Sequence, residues 1–465
     1  MDRRNFLSAN IAAVLGLGIA GRKAQSSGKR PPNIIVMVAD DLGWKEPACF
    51  GNPYVQTPGL DRLAQEGVKF TNAFVSSPSC SPSRASFITG KAPHTIGVLG
   101  LTHIHPDFSL SPSAQTFPKL LNKSGCRTAI QGKWHASFRN PPGSFGYQKQ
   151  IFDLKRGMAS LLDVPSAEKP GEFIRKNKDR QFYLELNFIQ THRLGDGSFK
   201  QAPGFPIDPD KIKVLDYWAL PDWREIRSDA AGYWSRLEAM DATIAEILQC
   251  LDDAGIAENT LVIFWGDNGP PFPGAKMCLY DRGIGTPLLM RWPGKFPAGL
   301  VREELAGIVD LAPTILESAG INAPADFQGL SLLPLAEGKA VKWRGEIFAE
   351  MNWHIYYQPM RAVRTKEWKL IWNLSSNPVE LDQCRDFEWA QKVIGLPYLF
   401  AYRERPQIEL YHLADDPNEL RNLVEGKNLE QAEQDLAYGK IVSELLIRLK
   451  EWRRNTRDLE PRPKP

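Results

Sequence analysis

Four short apolar runs, each ending abruptly in polar or charged groups, constrain this chain more than any other feature. Asn33-Ile34-Ile35-Val36-Met37-Val38-Ala39 runs straight into Asp40-Asp41. Thr128 to Gln131 ends in Gly132-Lys133-Trp134-His135, and Phe182 to Phe188 is followed by Gln190-Thr191-His192-Arg193. Leu261 to Trp265 gives way to Gly266-Asp267-Asn268-Gly269. Continuous apolar, partly β-branched runs read as strands buried on both faces, hence central in a parallel sheet. In open α/β sheets, ligands bind in the crevice outside the carboxyl ends of the strands. One such junction is an ordinary solvated loop. Four of them predict that residues spread from 40 to 268 converge on one site.

Helical patterns alternate with these strands, as such a sheet requires. Thr57 and Pro58 open a helix that stops at Gly67, Thr116 to Ser124 is a second, and Val309 to Ser318 a third. From Ser228 to Leu251 apolar residues recur at helical spacing, which predicts a long amphipathic helix. Phe70 to Val75 and Thr286 to Arg291 read as further strands. Gly195 to Pro221, rich in Gly, Pro and Asp, reads as a long irregular surface loop over the site. After about Ala340 the pattern changes to short strands: Glu346 to Met351, Met360 to Arg364, Trp368 to Trp372 and Ile408 to His412. A helix over Leu429 to Trp452 and a charged tail close the chain. This predicts a small antiparallel sheet with a covering helix.

The N-terminus reads differently. Arg3-Arg4-Asn5-Phe6-Leu7 precedes an apolar run from Ile11 to Ala20 that is too short to span a bilayer comfortably. The order resembles a bacterial twin-arginine export signal, with cleavage expected after Ala20 or Ala24. The expected organisation is an export signal and linker at 1–30, a catalytic domain at 31–340 and a C-terminal subdomain at 341–465. The mature protein is then expected in the periplasm or outside the cell, delivered by the export machinery. A net charge of +3 over 465 residues gives no reason to expect nucleic acid. The six cysteines are too scattered for a disulfide framework, and no paired spacing suggests zinc.

Asp40, Asp41, Asp267 and Asn268 offer three carboxylates and an amide oxygen, a hard set that suits Ca²⁺, or less well Mg²⁺, rather than zinc. Cys80-Ser81-Pro82-Ser83-Arg84 places a thiol and an arginine at a loop-to-helix junction, with Pro82 in the first turn. Facing the free N–H groups of that turn, the thiol is expected to have a lowered pKa. The bland alternatives are a buried structural cysteine, cap residues and surface lysines.

Cys80-Ser81-Pro82-Ser83-Arg84, followed by Thr89-Gly90, resembles the signature of the type I sulfatases. The resemblance implies an α/β, alkaline-phosphatase-like sandwich around a mostly parallel sheet, plus the smaller C-terminal antiparallel sheet. It implies that a maturation enzyme oxidises Cys80 to formylglycine, whose hydrate attacks sulfur, and that Asp40, Asp41, Asp267 and Asn268 hold a calcium that also contacts residue 80. Arg84, Lys133 and Lys276 would neutralise the sulfuryl oxygens, with Arg84 also orienting the hydrate and Asp267 taking its proton. His192 would protonate the leaving group, and His135 would remove the second hydroxyl proton to expel sulfate.

Asp267 to Lys276, with Leu279-Tyr280, and Pro359-Met360-Arg361-Ala362-Val363 resemble the sulfamidase branch. That branch carries arginine where Lys276 stands. His354 and Arg361 are the candidates for contact with the sugar. The implied substrate is a sulfated carbohydrate, N-sulfoglucosamine or a related sugar, with an oligomeric state left open. The alternatives are an O-sulfatase on another polysaccharide such as an algal galactan, and a phosphate or phosphonate monoester hydrolase. A calcium-dependent glycan-binding protein is the non-catalytic rival.

Overall fold

In a computed structural model the protein is described at residues 30–151, 166–379, 381, 383–397 and 404–458. The twin-arginine segment and the C-terminal tail therefore lie outside the described residues. The described residues from Pro31 onward form one compact unit.

Strands β1 (Asn33–Ala39), β2 (Val68–Phe70), β3 (Ala73–Phe74), β4 (Arg127–Gly132), β5 (Lys149–Gln150), β6 (Phe182–Phe188) and β7 (Thr260–Gly266) come first in the chain. They are followed by β8 (Leu288–Arg291), β9 (Leu300–Arg302) and β10 (Ala306–Gly307). Eight of them form one sheet in the order β5-β4-β6-β1-β7-β8-β2-β9. The four strands singled out from sequence, β4, β6, β1 and β7, are consecutive in that sheet and mutually parallel. All seven residues of β1, of β6 and of β7 are buried.

The burial follows from layers on both faces. Ile34, Val36 and Val38 pack on one side with Phe87, Ile88, Phe117 and Ile315. Those partners come from helices Cys80–Thr89, Phe117–Lys123 and Leu311–Ser318. Ile35, Met37 and Ala39 face the other way, toward Leu60, Ile174, Leu237 and Leu248. These belong to helices Pro58–Gln65, Glu168–Asn177 and Arg224–Asp253. A strand pattern without polar alternation is thus the pattern of a sheet covered twice.

Three local expectations change. Phe70 to Val75 is two strands rather than one, because Thr71-Asn72 carries the chain from β2 in the main sheet to β3, which pairs with β10. Gly195 to Pro221 is irregular apart from a turn at Asp216–Trp218, yet it is anchored by buried Ile207, Ile212, Val214 and Trp218. The expected helix over Leu429 to Trp452 is two helices, Leu429–Glu433 and Gly439–Thr456. The Asp435 carboxylate accepts from the N–H groups of Ala437 and Tyr438 and so competes with helix continuation.

The C-terminal strands β11 (Glu346–Trp353), β12 (Tyr357–Thr365), β13 (Trp368–Asn373) and β14 (Ile408–His412) form an antiparallel sheet in chain order. One face packs Val363, Leu370, Ile408 and Leu410 against Val442, Leu445, Leu446 and Leu449 of the covering helix. Each such side chain contributes roughly 1.5–3 kcal/mol on burial. The other face sends Ala349, Met351, Met360 and Ala362 into the core beneath the main sheet. This second sheet therefore sits directly beside the first, and its β11-β12 turn reaches the site.

Candidate active site

Strand register brings the polar ends level. Ala39 pairs with Phe188 on one side and Gly266 on the other. The ladders continue one step further, with the Asp40 N–H donating to Phe188 O and the Asp267 N–H to Ala39 O, both at 3.0 Å. Gly266 allows the crossing, since a Cβ there would lie 2.3 Å from Leu42 O. Gly132 does the same for β4 with φ +89°, where a Cβ would meet Asn187 O at 2.0 Å. Asp41 holds a left-handed φ of 58°. Its N–H donates to Asp267 Oδ1 at 2.9 Å and its carbonyl accepts from Tyr233 OH at 2.9 Å, so the surroundings impose this conformation.

Cys80 is the first residue of its helix and is buried. Its Sγ lies 3.4 Å from Asp40 Oδ1 and 3.7 Å from Asp41 Oδ1. Ligand atoms of Asp40, Asp41, Cys80 and Asp267 all fall within 4.8 Å of one another. Arg84, one turn on, donates from Nε to Asp267 Oδ2 at 2.7 Å and from Nη1 to Asn187 Oδ1 at 2.6 Å. Lys133 Nζ reaches both Asp40 oxygens, at 2.9 and 2.6 Å. Lys276 Nζ lies 2.9 Å from Asp41 Oδ2. His192 Nε2 lies 3.8 Å from the same oxygen. Its Nδ1 lies 2.7 Å from Arg193 O, and because a carbonyl only accepts, that nitrogen carries the proton.

The donor set fits a hard divalent cation. Three buried carboxylates face three cations, Arg84, Lys133 and Lys276, so the cluster has no surplus positive charge for an anionic ester. Crowding is visible in the carboxyls. Burial would raise Asp40, but Lys133, His192 and Arg84 hold it well below the usual range. Burial, and then the neighbouring Asp40, push Asp267 up to about 7. A dication relieves that repulsion. Asn268 Oδ1 is buried with no hydrogen-bond partner among the described residues, while its Nδ2 donates to Asp41 Oδ1 at 2.8 Å and to Gly269 O at 2.9 Å. An orphaned amide oxygen beside three carboxylates is a ligand atom in waiting.

Two readings from sequence are corrected. The Cys80 thiol is not activated: burial pushes its pKa well above the ordinary value, and Asp267 and Asp40 add to this against Lys133 and Lys276. Loss of water on burial is the largest cause. Arg361 does not reach a ligand. It is fully buried, its Nε and Nη2 donate to Asp458 at 2.6 and 2.7 Å, and its Nη1 donates to Met351 O and Met360 O. It ties β12 to the chain just beyond the covering helix. His354, by contrast, lies beside the site, its Nδ1 2.9 Å from the hydroxyl of Ser79, the residue before Cys80.

Sequence reasoning missed the groups that hold these residues. Asn187 Oδ1 accepts from Arg84, its Nδ2 donates to Glu185 Oε1 at 2.8 Å, and Glu185 Oε2 accepts from Tyr147 OH and Tyr183 OH at 2.5 and 2.7 Å. Two polar residues inside the otherwise apolar β6 were the available signal. Thr191 Oγ1 anchors the Asp40 carbonyl at 2.5 Å.

Comparison with known proteins adds the family. The sulfatase family model matches residues 32–321, and a second model, N-sulphoglucosamine sulphohydrolase, C-terminal, matches residues 275–387. The chain is 31% identical to N-sulphoglucosamine sulphohydrolase of Homo sapiens, over 92% of this chain and 91% of that protein. It is 28% identical to N-acetylgalactosamine-6-sulfatase of Rattus norvegicus, over 90% and 85%. A solved structure in complex with its substrate D-glucosamine-2-N,6-O-disulfate superposes with a TM-score of 0.67 at 21% identity, covering 94% of this chain and 100% of that one. That likeness shows the fold, an alkaline-phosphatase-like sandwich with a mostly parallel central sheet and a separate four-stranded antiparallel sheet. With its cysteine, arginine, lysines and carboxylates gathered at the ends of four parallel strands, the chain belongs to the sulfatase family and is a hydrolase of sulfate esters or sulfamates.

Proposed function

We propose that this enzyme removes a sulfuryl group from an N- or O-sulfated glucosamine-type sugar at the end of a glycan chain, with residue 80 in the formylglycine form and Ca²⁺ held by Asp40, Asp41, Asp267 and Asn268. One observation carries the substrate class: the match to the N-sulphoglucosamine sulphohydrolase C-terminal model spans the segment that bears Lys276 and the β11-β12 turn beside the site. The Cys80-Ser81-Pro82-Ser83-Arg84 motif within the sulfatase match supports oxidation of Cys80, and the buried thiol, its pKa pushed up, is a poor nucleophile as it stands. The formylglycine hydrate supplies one hydroxyl to attack sulfur and a second whose deprotonation releases sulfate, and the metal supplies positive charge for the sulfuryl oxygens.

The remaining work falls to side chains in place. Arg84, held by Asp267 and Asn187, fixes a guanidinium beside residue 80. Lys133 and Lys276 bring two ammonium groups to Asp40 and Asp41, where incoming sulfuryl oxygens gain from them. His192, with Nδ1–H spent on Arg193 O, can hand a proton from Nε2 to the leaving nitrogen or oxygen only as the imidazolium, a form that Asp41 and Asp40 favour against burial. His135 accepts the proton whose loss expels sulfate. The twin-arginine segment supports export, which cell fractionation tests.

The deciding experiment scores free sulfate from a panel of defined N- and O-sulfated monosaccharides and disaccharides. Release from sulfated glucosamine is expected, with His192→Ala nearly inactive on it while sparing an activated aryl sulfate. Release from galactan oligosaccharides alone overturns the substrate and leaves the family intact. The 28% likeness to an N-acetylgalactosamine-6-sulfatase favours an O-sulfatase as the second reading. Intact mass of active enzyme tests residue 80, and an unmodified thiol in a fully active preparation refutes that assignment.

A further inference from the structure

His135 Nδ1 is buried and has no hydrogen-bond partner among the described residues, whereas its Nε2 lies 2.7 Å from His103 Nδ1. The two rings stack with centroids 4.8 Å apart and planes 25° apart. His103 stands in none of the motifs, because it follows no strand. It arrives on a loop pinned to the second sheet, where the Trp353 N–H donates to Leu99 O at 3.0 Å and His105 Nε2 donates to Ile355 O at 2.8 Å. Its neighbour Thr102 joins the nucleophile helix to His135: the Thr102 N–H donates to Ser81 Oγ at 3.2 Å, and Thr102 Oγ1 donates to His135 O at 3.1 Å.

Between two neutral rings a single proton makes the hydrogen bond, so one nitrogen donates and the other accepts. If His135 carried its proton on Nδ1, an N–H would be buried without an acceptor. If the proton sits on Nε2, it bonds to His103 Nδ1 and leaves only a lone pair inside. An orphaned buried N–H is the costlier defect. The second arrangement also places the proton of His103 on its Nε2, on an exposed residue where water accepts it. Neutrality of both rings is supported by their surroundings. Burial, then Lys133, His103 and Arg84, hold His135 well below the ordinary value against Asp40. Partial burial, then Lys133, His354, His192 and Lys276, hold His103 down to about 4.

We propose that His103 is a positioning residue for His135: its Nδ1 accepts the His135 Nε2 proton, fixing the rotation and tautomer that turn the His135 Nδ1 lone pair into the buried site. The proposal rests on the reading of His135 as a proton acceptor. It is tested on the full chain with ¹⁵N-labelled histidine, in a Cys80→Ala background so that residue 80 is uniform. Seven histidines make the long-range ¹H–¹⁵N spectrum tractable. His135 is expected to show a protonated Nε2 and a bare Nδ1. His103→Ala is expected to mix the tautomers, and His103→Gln, whose amide oxygen accepts, to restore the wild-type pattern.

In the enzyme with Cys80 intact, His103→Ala should lower kcat by about 10- to 100-fold at nearly unchanged KM, as loss of a partner that orients a working histidine does. His103→Gln should recover most of it. A His135 protonated on Nδ1 in the wild type, or spectra and kcat unmoved by His103→Ala, overturns the proposal. His135→Ala with normal turnover instead removes the reading on which the proposal rests, and so separates the two failures.

Discussion

Arg84 Nε lies 2.7 Å from Asp267 Oδ2, joining residues 183 positions apart at the bottom of the site. Both are buried, at 5% and 0% exposure. Arg84→Ala leaves that carboxylate without its partner and is expected to cost about 3–5 kcal/mol of stability as well as turnover. Arg84→Lys keeps the charge but cannot serve Asp267 and Asn187 together. It should fold better than the alanine variant and still lose most activity. Denaturant midpoints and sulfate release measure the pair, and near-native turnover by Arg84→Lys contradicts this account.

Metal removal should be visible without any assay of turnover. With Asp40, Asp41 and Asp267 crowded together, chelated protein is expected to melt lower, and calcium at about 100 times its Kd to add about 2.7 kcal/mol. Asn268→Ala should shrink that gain, because it deletes an oxygen that has no other partner among the described residues. Equal melting curves with calcium and with chelator refute the assignment.

His94 supplies a pH test away from the catalytic groups. Its Nδ1 is bonded to Glu350, and although burial opposes its charge, Glu350 raises its pKa above 6.5. A folded-state pKa raised in this way gives stability that is fully present below the unfolded value and lost as pH rises through the folded one. Stability should therefore fall as pH rises above about 6.5 and through the folded-state pKa, and His94→Gln should flatten that fall. Urea midpoints across the window decide it, and parallel slopes for the two proteins count against the pair.

Arg361 is expected to behave as a structural group despite its place in a motif that pointed to the substrate. Arg361→Ala takes two hydrogen bonds from Asp458, which is 7% exposed and keeps Arg453 Nε at 2.8 Å, and should cost about 1.5–3 kcal/mol. The fraction that remains folded should keep the wild-type KM. A large rise in KM without loss of stability returns Arg361 to the substrate.

Read alone, the sequence determined the sheet and the chemistry at its edge. Apolar runs such as Ile34 to Ala39 and Leu261 to Trp265 tolerate only a position covered on both faces, and a parallel sheet then brings Asp40, Lys133, His192 and Asp267 to the same end. Hydrophobic period and strand polarity are local properties, so they survive without coordinates. Tertiary structure alone decided whether Cys80 is a reactive thiol, whether Arg361 meets a ligand or Asp458, and that His103 stands behind His135. Those outcomes turn on which groups from distant segments lose water together. Desolvation and charge pairing are set by neighbours in space, and 97 residues separate Arg361 from the carboxylate that claims it.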